Sequence, residues 1–245
     1  TYALCLRRME DILILAIDIG NTNIVVGCIR GDEVLFTERL STNTTHTTLE
    51  YAISFKNVLE IYQIDAKEIE GAIISSVVPP ITNVIRDSIH KITDAEVLIV
   101  GPGVKTGLNI LMDDPRQVGS DRIVNAVAVI HEYPVPAAII DMGTATTICV
   151  VDEKKSYIGG AIIPGMRIAA DTLTARTAQL PKISLEPPAK LIGKNTVDCM
   201  KSGVFYGNVA LIDGMLDRIE EEMGQKLHVI ATGGLAKALI PYCRH

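Results

Sequence analysis

A chain of 245 residues, 48% of them hydrophobic, has room for one large domain or two small ones and can build its core without disulfide support. A formal charge of −6, with three Phe, seven Tyr and no Trp, argues against nucleic acid or an anionic membrane as partner, since both a broad basic footprint and stacking rings are lacking. The five cysteines (Cys5, Cys28, Cys149, Cys199, Cys243) form no C-x-x-C pair and the five histidines no ligand-spaced cluster, so a reducing cytoplasm and no tightly held transition metal are expected.

Arg7 and Arg8 precede a short apolar run that Glu10, Asp11 and Asp18 interrupt, which does not read as a signal peptide. Residues 1–8 read as an upstream extension before a start at Met9. No run reaches the ~18–20 apolar residues of a membrane span, so a soluble protein is expected. Residues 12–17 and 21–29 read as two strands either side of Asp18-Ile19-Gly20. Helices are expected over 48–62 and 81–92, and buried strands over 71–78 and 97–100. The strand–turn–strand pattern returns about half a chain later, with 137–140 and 146–151 flanking Asp141-Met142-Gly143-Thr144. A Gly159-Gly160 turn, a helix over 166–177, a helix over 196–223 and a strand over 227–230 follow, the last leading into Thr232-Gly233-Gly234-Leu235. Alternating strands and helices with a repeated opening hairpin predict a duplicated α/β fold, divided at about residue 115 into halves 9–115 and 116–245.

The hairpins carry the chemistry. Gly20 permits positive φ and close approach of main chain to a ligand, so the turn amides and the Thr22 hydroxyl can surround a phosphate. Asp18 would then face phosphates across a cation, most naturally Mg²⁺ held through water. One such turn alone reads better as a polar hairpin that satisfies its own amides; its repeat at Asp141 reverses the balance in favour of a nucleotide clamp. The paired glycines Gly233 and Gly234 could let an adenine or ribose lie against main chain, or simply make a turn. Neither a G-x-x-x-x-G-K-[ST] nor a G-x-G-x-x-G run is present, so the phosphate site is not lysine-centred.

Together these motifs resemble the ATPase core of the acetate and sugar kinase, Hsp70 and actin superfamily. Within it, Gly119-Ser120-Asp121-Arg122 with Ile123-Val124-Asn125-Ala126, Ser75-Ser76-Val77-Val78-Pro79, Pro164-Gly165-Met166, Thr177-Ala178-Gln179-Leu180-Pro181 and Ile192-Gly193-Lys194-Asn195-Thr196 resemble the type III pantothenate kinase family. The resemblance runs from about residue 13 to 236. It implies two RNase-H-like (actin-like ATPase) halves with a nucleotide cleft between them, a homodimer, and ATP-dependent phosphorylation of pantothenate, the first step toward coenzyme A. It further implies an ATP phosphate loop over Asp18, Ile19, Gly20, Asn21, Thr22, Asn23, Ile24 and Val25, with Thr144, Gly233 and Gly234 as further ATP contacts. Asp141 corresponds to the ligand of a monovalent cation, K⁺ or NH₄⁺. Gly119, Ser120, Asp121 and Arg122 correspond to pantothenate contacts, with Asp121 the proton acceptor. Thr196 matches another substrate contact, which the resemblance allows to come across the dimer interface. The chain departs from relatives in stopping at His245, soon after Leu235-Ala236, and in having no aromatic residue over 109–118.

The chemical case for Asp121 stands beside this. An alcohol attacking a γ-phosphoryl group must lose its proton, and a carboxylate in reach can orient the hydroxyl and accept it. Arg122 would pair with the substrate carboxylate or with developing phosphoryl charge. The competing reading makes Ser120 or Asp121 a helix cap, before apolar positions Val124, Val127 and Ile130 at helical spacing. Cys149 is expected in the core, and Glu220–Glu222 on a solvated helix face. Alternative functions are a kinase for another small hydroxylated compound and a nucleotide-binding regulator without turnover.

Overall fold

The computed structural model describes residues 12–245, so the readings of residues 1–8, Met9 and Cys5 fall outside it. Of these, residues 12–104 with Arg116–Val124 make one compact unit; Lys105–Pro115 with Asn125–His245 make the other. Each contains a five-stranded mixed sheet and a hydrophobic cluster of its own.

In the first unit, β1 (Leu13–Ile19), β2 (Asn23–Arg30) and β3 (Glu33–Ser41) form an antiparallel meander. β4 (Ile69–Ser76) returns parallel to β1, and β5 (Glu96–Ile99) lies parallel beyond it, for an order β3-β2-β1-β4-β5. Strand alternation buries Leu13, Leu15, Ile17 and Ile19 of β1. These share a core with Phe55 and Leu59 of α1 (Thr48–Ile61) and with Ile81 and Ile85 of α2 (Pro79–Ile89). A capping box starts α1, Thr47 N donating to Glu50 Oε2 (2.7 Å) and Glu50 N to Thr47 Oγ1 (3.4 Å). The sequence pattern places the start of α2 at residue 81, yet it begins at Pro79: prolines at N1 and N2 give up N–H groups that have no intrahelical partner anyway.

In the second unit, β6 (Asn109–Ile110) pairs parallel with the edge of a second meander, β7 (Ala137–Met142), β8 (Ala145–Val151) and β9 (Ser156–Pro164). The helix α3 (Ser120–Glu132) precedes β7, and the division between units falls within it. After α4 (Met166–Arg176) and α5 (Thr196–Met223), β10 (His228–Thr232) returns parallel to β7, and the short α6 (Ala236–Leu239) follows. Four strands of each sheet therefore share one order and orientation, β3-β2-β1-β4 and β9-β8-β7-β10. The duplication read from the two hairpins is present in the topology.

Several expectations are corrected. β3 went unread, although Gly31, at φ 56°, makes the hairpin turn that leads into it. Gly159 and Gly160 lie inside β9 instead of at a turn. A Cβ on Gly160 would overlap the Ile148 carbonyl of β8, so the residue is glycine to let two strands meet. On α3 the buried positions are Ile123, Ala126, Val129 and Ile130, while Val124 and Val127 are half-buried. Glu220 is not solvated: it is 7% exposed and accepts from Lys226 Nζ (2.5 Å) and Leu227 N (3.0 Å), clipping the end of α5 to the approach to β10. Cys149 is in the core as expected. Among the described residues no helix is long and apolar enough to cross a membrane.

Candidate functional site

In the first unit, β1 delivers Asp18 one residue before its end, and the turn closes as Gly20 N donates to Asn23 O (2.9 Å). Gly20 is not at positive φ. A Cβ there would stand 3.1 Å from the Asn23 carbonyl oxygen, so close packing of the turn explains the glycine. Thr42, just after β3, pins the loop: its Oγ1 donates to Gly20 O (2.6 Å) and its N to Thr22 O (3.0 Å). Asn21, Thr22 and Asn23 are exposed. Ile19 and Ile24 are wholly buried, so only their main chain can serve a ligand, and Val25 is half-buried.

Gly119 O accepts from Arg122 N (3.1 Å) and Ile123 N (3.2 Å), which makes Gly119 the residue that opens α3. The cap reading of Ser120 is thereby corrected: its hydroxyl leaves its own helix for the end of β4. Asp121 curls back so that Oδ1 accepts from Arg122 N (2.8 Å), in space that a side chain at 119 would occupy. Arg122 Nη2 donates to Gln117 O (3.3 Å).

The charge of Asp121 reaches Asp18. Although Asp18 is open to solvent on one side, surrounding chain removes enough water to push its carboxyl above the ordinary value. A hydrogen bond from Ser75 opposes that shift, and the negative charge of Asp121 adds to it. Among the described residues, the groups acting on Asp18 are a hydroxyl and a second carboxylate. Two acidic groups in this relation suit a divalent cation and its phosphate ligand.

The second unit repeats the motif. Asp141 lies at the corresponding point of β7, opposite Thr232 of β10 as Asp18 lies opposite Ser75 of β4. Asn125 Nδ2 donates to Asp141 Oδ2 (3.4 Å). Gly143 N donates to Ala145 O (3.0 Å) to close the turn, Thr144 is exposed, and the Gly143 and Thr144 carbonyls crowd Gly165 at the head of α4. The loop after β10 folds back on β7 through Leu235 N to Met142 O (3.0 Å). Gly233 has φ 95°, and a Cβ on it would meet Asp141 Oδ1 at 2.5 Å and Met142 N at 2.6 Å. Gly233→Ala is therefore expected to cost at least about 1 kcal/mol, read as a lowered urea midpoint; an unchanged midpoint would show that the loop relaxes freely. Gly234 is exposed, and so is Thr196, the first residue of α5 beside the capping Asn195.

Ser75 and Thr42 are the site residues that sequence reasoning passed over. Ser75 stood inside a recognised motif without a role, and Thr42 had no signal, since its partner lies 22 residues away.

Known structures share this fold. A protein assigned to the Baf family of transcriptional activators from Campylobacter jejuni aligns over 94% of this chain and 88% of its own, with TM-score 0.55 and 18% identity. Component A of (R)-2-hydroxyglutaryl-CoA dehydratase from Acidaminococcus fermentans aligns over 93% and 85%, with TM-score 0.54 and 15% identity. The repeated sheet and hairpins thus define a protein of the actin-like ATPase fold. The family model of type III pantothenate kinase matches residues 14–218. A type III pantothenate kinase of Moorella thermoacetica is 46% identical over 94% of this chain and 90% of its own, and one of Exiguobacterium sp. 47% identical over 93% and 89%. The chain belongs to the type III pantothenate kinase family.

Proposed function

We propose that this protein is a pantothenate kinase that transfers the γ-phosphoryl group of ATP to the pantothenate hydroxyl, the first step of coenzyme A biosynthesis. The observation that carries the substrate assignment is identity of 46–47% to pantothenate kinases over more than nine-tenths of the chain. The acidic pair Asp18 and Asp121 supports the mechanism.

The residues from Asp18 to Val25 cradle the ATP phosphates, chiefly through turn main chain and the Thr22 hydroxyl, with Thr144, Gly233 and Gly234 as the other nucleotide contacts. Asp18 would hold Mg²⁺, which would supply charge neutralisation on the phosphates. Asp121 orients the pantothenate hydroxyl and takes its proton. The oxygen so freed forms the new bond to γ-phosphorus as the bond to the β,γ-bridging oxygen breaks, and ADP leaves. Arg122, Gly119, Ser120 and Thr196 line the acceptor side, Arg122 pairing with anionic charge of the substrate or the moving phosphoryl group. Asp141 would hold K⁺ or NH₄⁺. A cytoplasmic homodimer completes the reading.

The test is a coupled ADP-release assay with Mg·ATP and pantothenate, in K⁺ and in Na⁺, with mass detection of the product. Pantothenate-dependent ADP release with phosphopantothenate formed is expected, faster in K⁺. ATP binding without transfer to pantothenate overturns the reading, and equal rates in the two salts remove Asp141 from its role.

A further inference from the structure

Ser120 is 6% exposed and belongs to the first turn of α3, where serine usually serves its own helix. Its Oγ instead accepts from Ser76 N (2.8 Å), donates to Ser76 O (2.9 Å) and meets Ser75 Oγ (3.2 Å), contacts made across 44 and 45 residues of chain. Ser75 is itself buried and lies opposite Asp18 in the β1–β4 pairing, and its single hydroxyl proton serves either Ser120 Oγ or the Asp18 carboxylate, one at a time. Ser120 thus ties the helix start that bears Asp121 to the end of β4, next to the residue opposite Asp18.

Such a connection answers a physical need. Bonds within α3 shape its first turn but do not fix where that turn sits against β1 and β4. Phosphoryl transfer, however, requires the base and the phosphate loop at a fixed separation, and a misplacement of about 1 Å can cost roughly 100-fold in rate. Helix capping does not demand the Ser120 side chain, because Gly119 O already takes two N–H groups.

We infer that Ser120 and Ser75 are positioning residues for phosphoryl transfer, a hydroxyl clamp that fastens the first turn of α3, and Asp121 with it, to the strand end that holds Asp18. This rests on the assignment of Asp121 as proton acceptor. Ser120 fixes the helix through the Ser76 main chain, and Ser75, opposite Asp18, lends its proton to that anchorage when the Asp18 carboxylate does not take it. Neither side chain touches the reacting atoms.

The experiment is a double-mutant cycle on the full chain, with kcat and KM for both substrates and the melting temperature recorded. Ser120→Ala is expected to lower kcat about 10- to 100-fold with little change in KM for ATP. In an Asp121→Asn background the same substitution should add almost nothing, because a clamp that acts through Asp121 has nothing left to position. Should Ser120→Ala not fold, Ser75→Ala enters the same cycle, since it leaves both bonds between Ser120 and the Ser76 main chain in place. Losses that multiply in both backgrounds, or a kcat equal to the parent's, overturn the clamp while leaving Asp121 as base. Full activity of Asp121→Asn alone overturns the base assignment instead, so the two failures are told apart.

Discussion

Asp121→Asn is expected to bind ATP as the parent does and to turn over at least ~100-fold more slowly, the lower end of what a positioned general base contributes. The substitution keeps the size of the side chain and an oxygen able to accept from Arg122 N, so the first turn of α3 should form unchanged. What it removes is the ability to take the proton of the attacking hydroxyl. An unprotonated alcohol oxygen is needed only as the new bond forms, so the loss should fall on kcat and leave KM for ATP almost alone. Isothermal titration with ATP and the coupled assay measure the two halves of this statement. Near-parental turnover would return Asp121 to a structural role at the helix start.

Asp18→Asn should do two opposite things. As the group proposed to meet the hydrated metal, Asp18 cannot become neutral without loss of Mg·ATP use, so turnover should fall to background. Stability should rise. The carboxyl of Asp18 lies above its ordinary value, first through burial and then through the charge of Asp121, which means that folding disfavours the ionised form. For a carboxylate raised in this way, the penalty is fully present above the folded-state pKa and absent below the unfolded-state pKa. The melting temperature of Asp18→Asn should therefore exceed the parent's at neutral pH, and the gap should close on acidification through the range between those two values. Such exchange of stability for function is common at acidic sites. Melting curves across pH decide the matter; a variant less stable than the parent at neutral pH would mean that the Asp18 hydrogen bond outweighs its charge.

Much of this was legible in the sequence. Apolar β-branched runs on either side of Asp18 and Asp141 gave the hairpins, and the helix expected over 196–223 is α5, whose ends the structure marks with the capping Asn195 and a left-handed Gly224. The long helix was easy because its ends are chemically marked. Gly159 and Gly160 misled because glycine has two uses, freedom of the backbone and absence of a side chain, and a sequence does not say which is in demand. Gly20 was misjudged the same way: its neighbour is the Asn23 carbonyl, and its φ is unremarkable. Glu220 looked like one of three acidic residues on a wet face, because the Lys226 and Leu227 groups that draw it inward follow the end of its helix. The largest gap was Ser120. Its neighbours in sequence suggested a cap, while the partners that define it belong to β4, and side-chain bonds over such separations leave no local pattern.

The repeated sheet order also bears on how the chain folds. In each unit the meander joins neighbours in sequence, whereas the parallel strand must come back from far along the chain, past α1 to reach β1 and past α4 and α5 to reach β7. Closing a long loop is slow because its entropy is lost before any contact is gained. In a pulsed hydrogen-exchange experiment β7, β8 and β9 should acquire protection together and β10 after them. The glycine loop at the end of β10 would then be the last piece of its unit to settle, and a chain caught before that point would own both turns yet lack the platform beside the second.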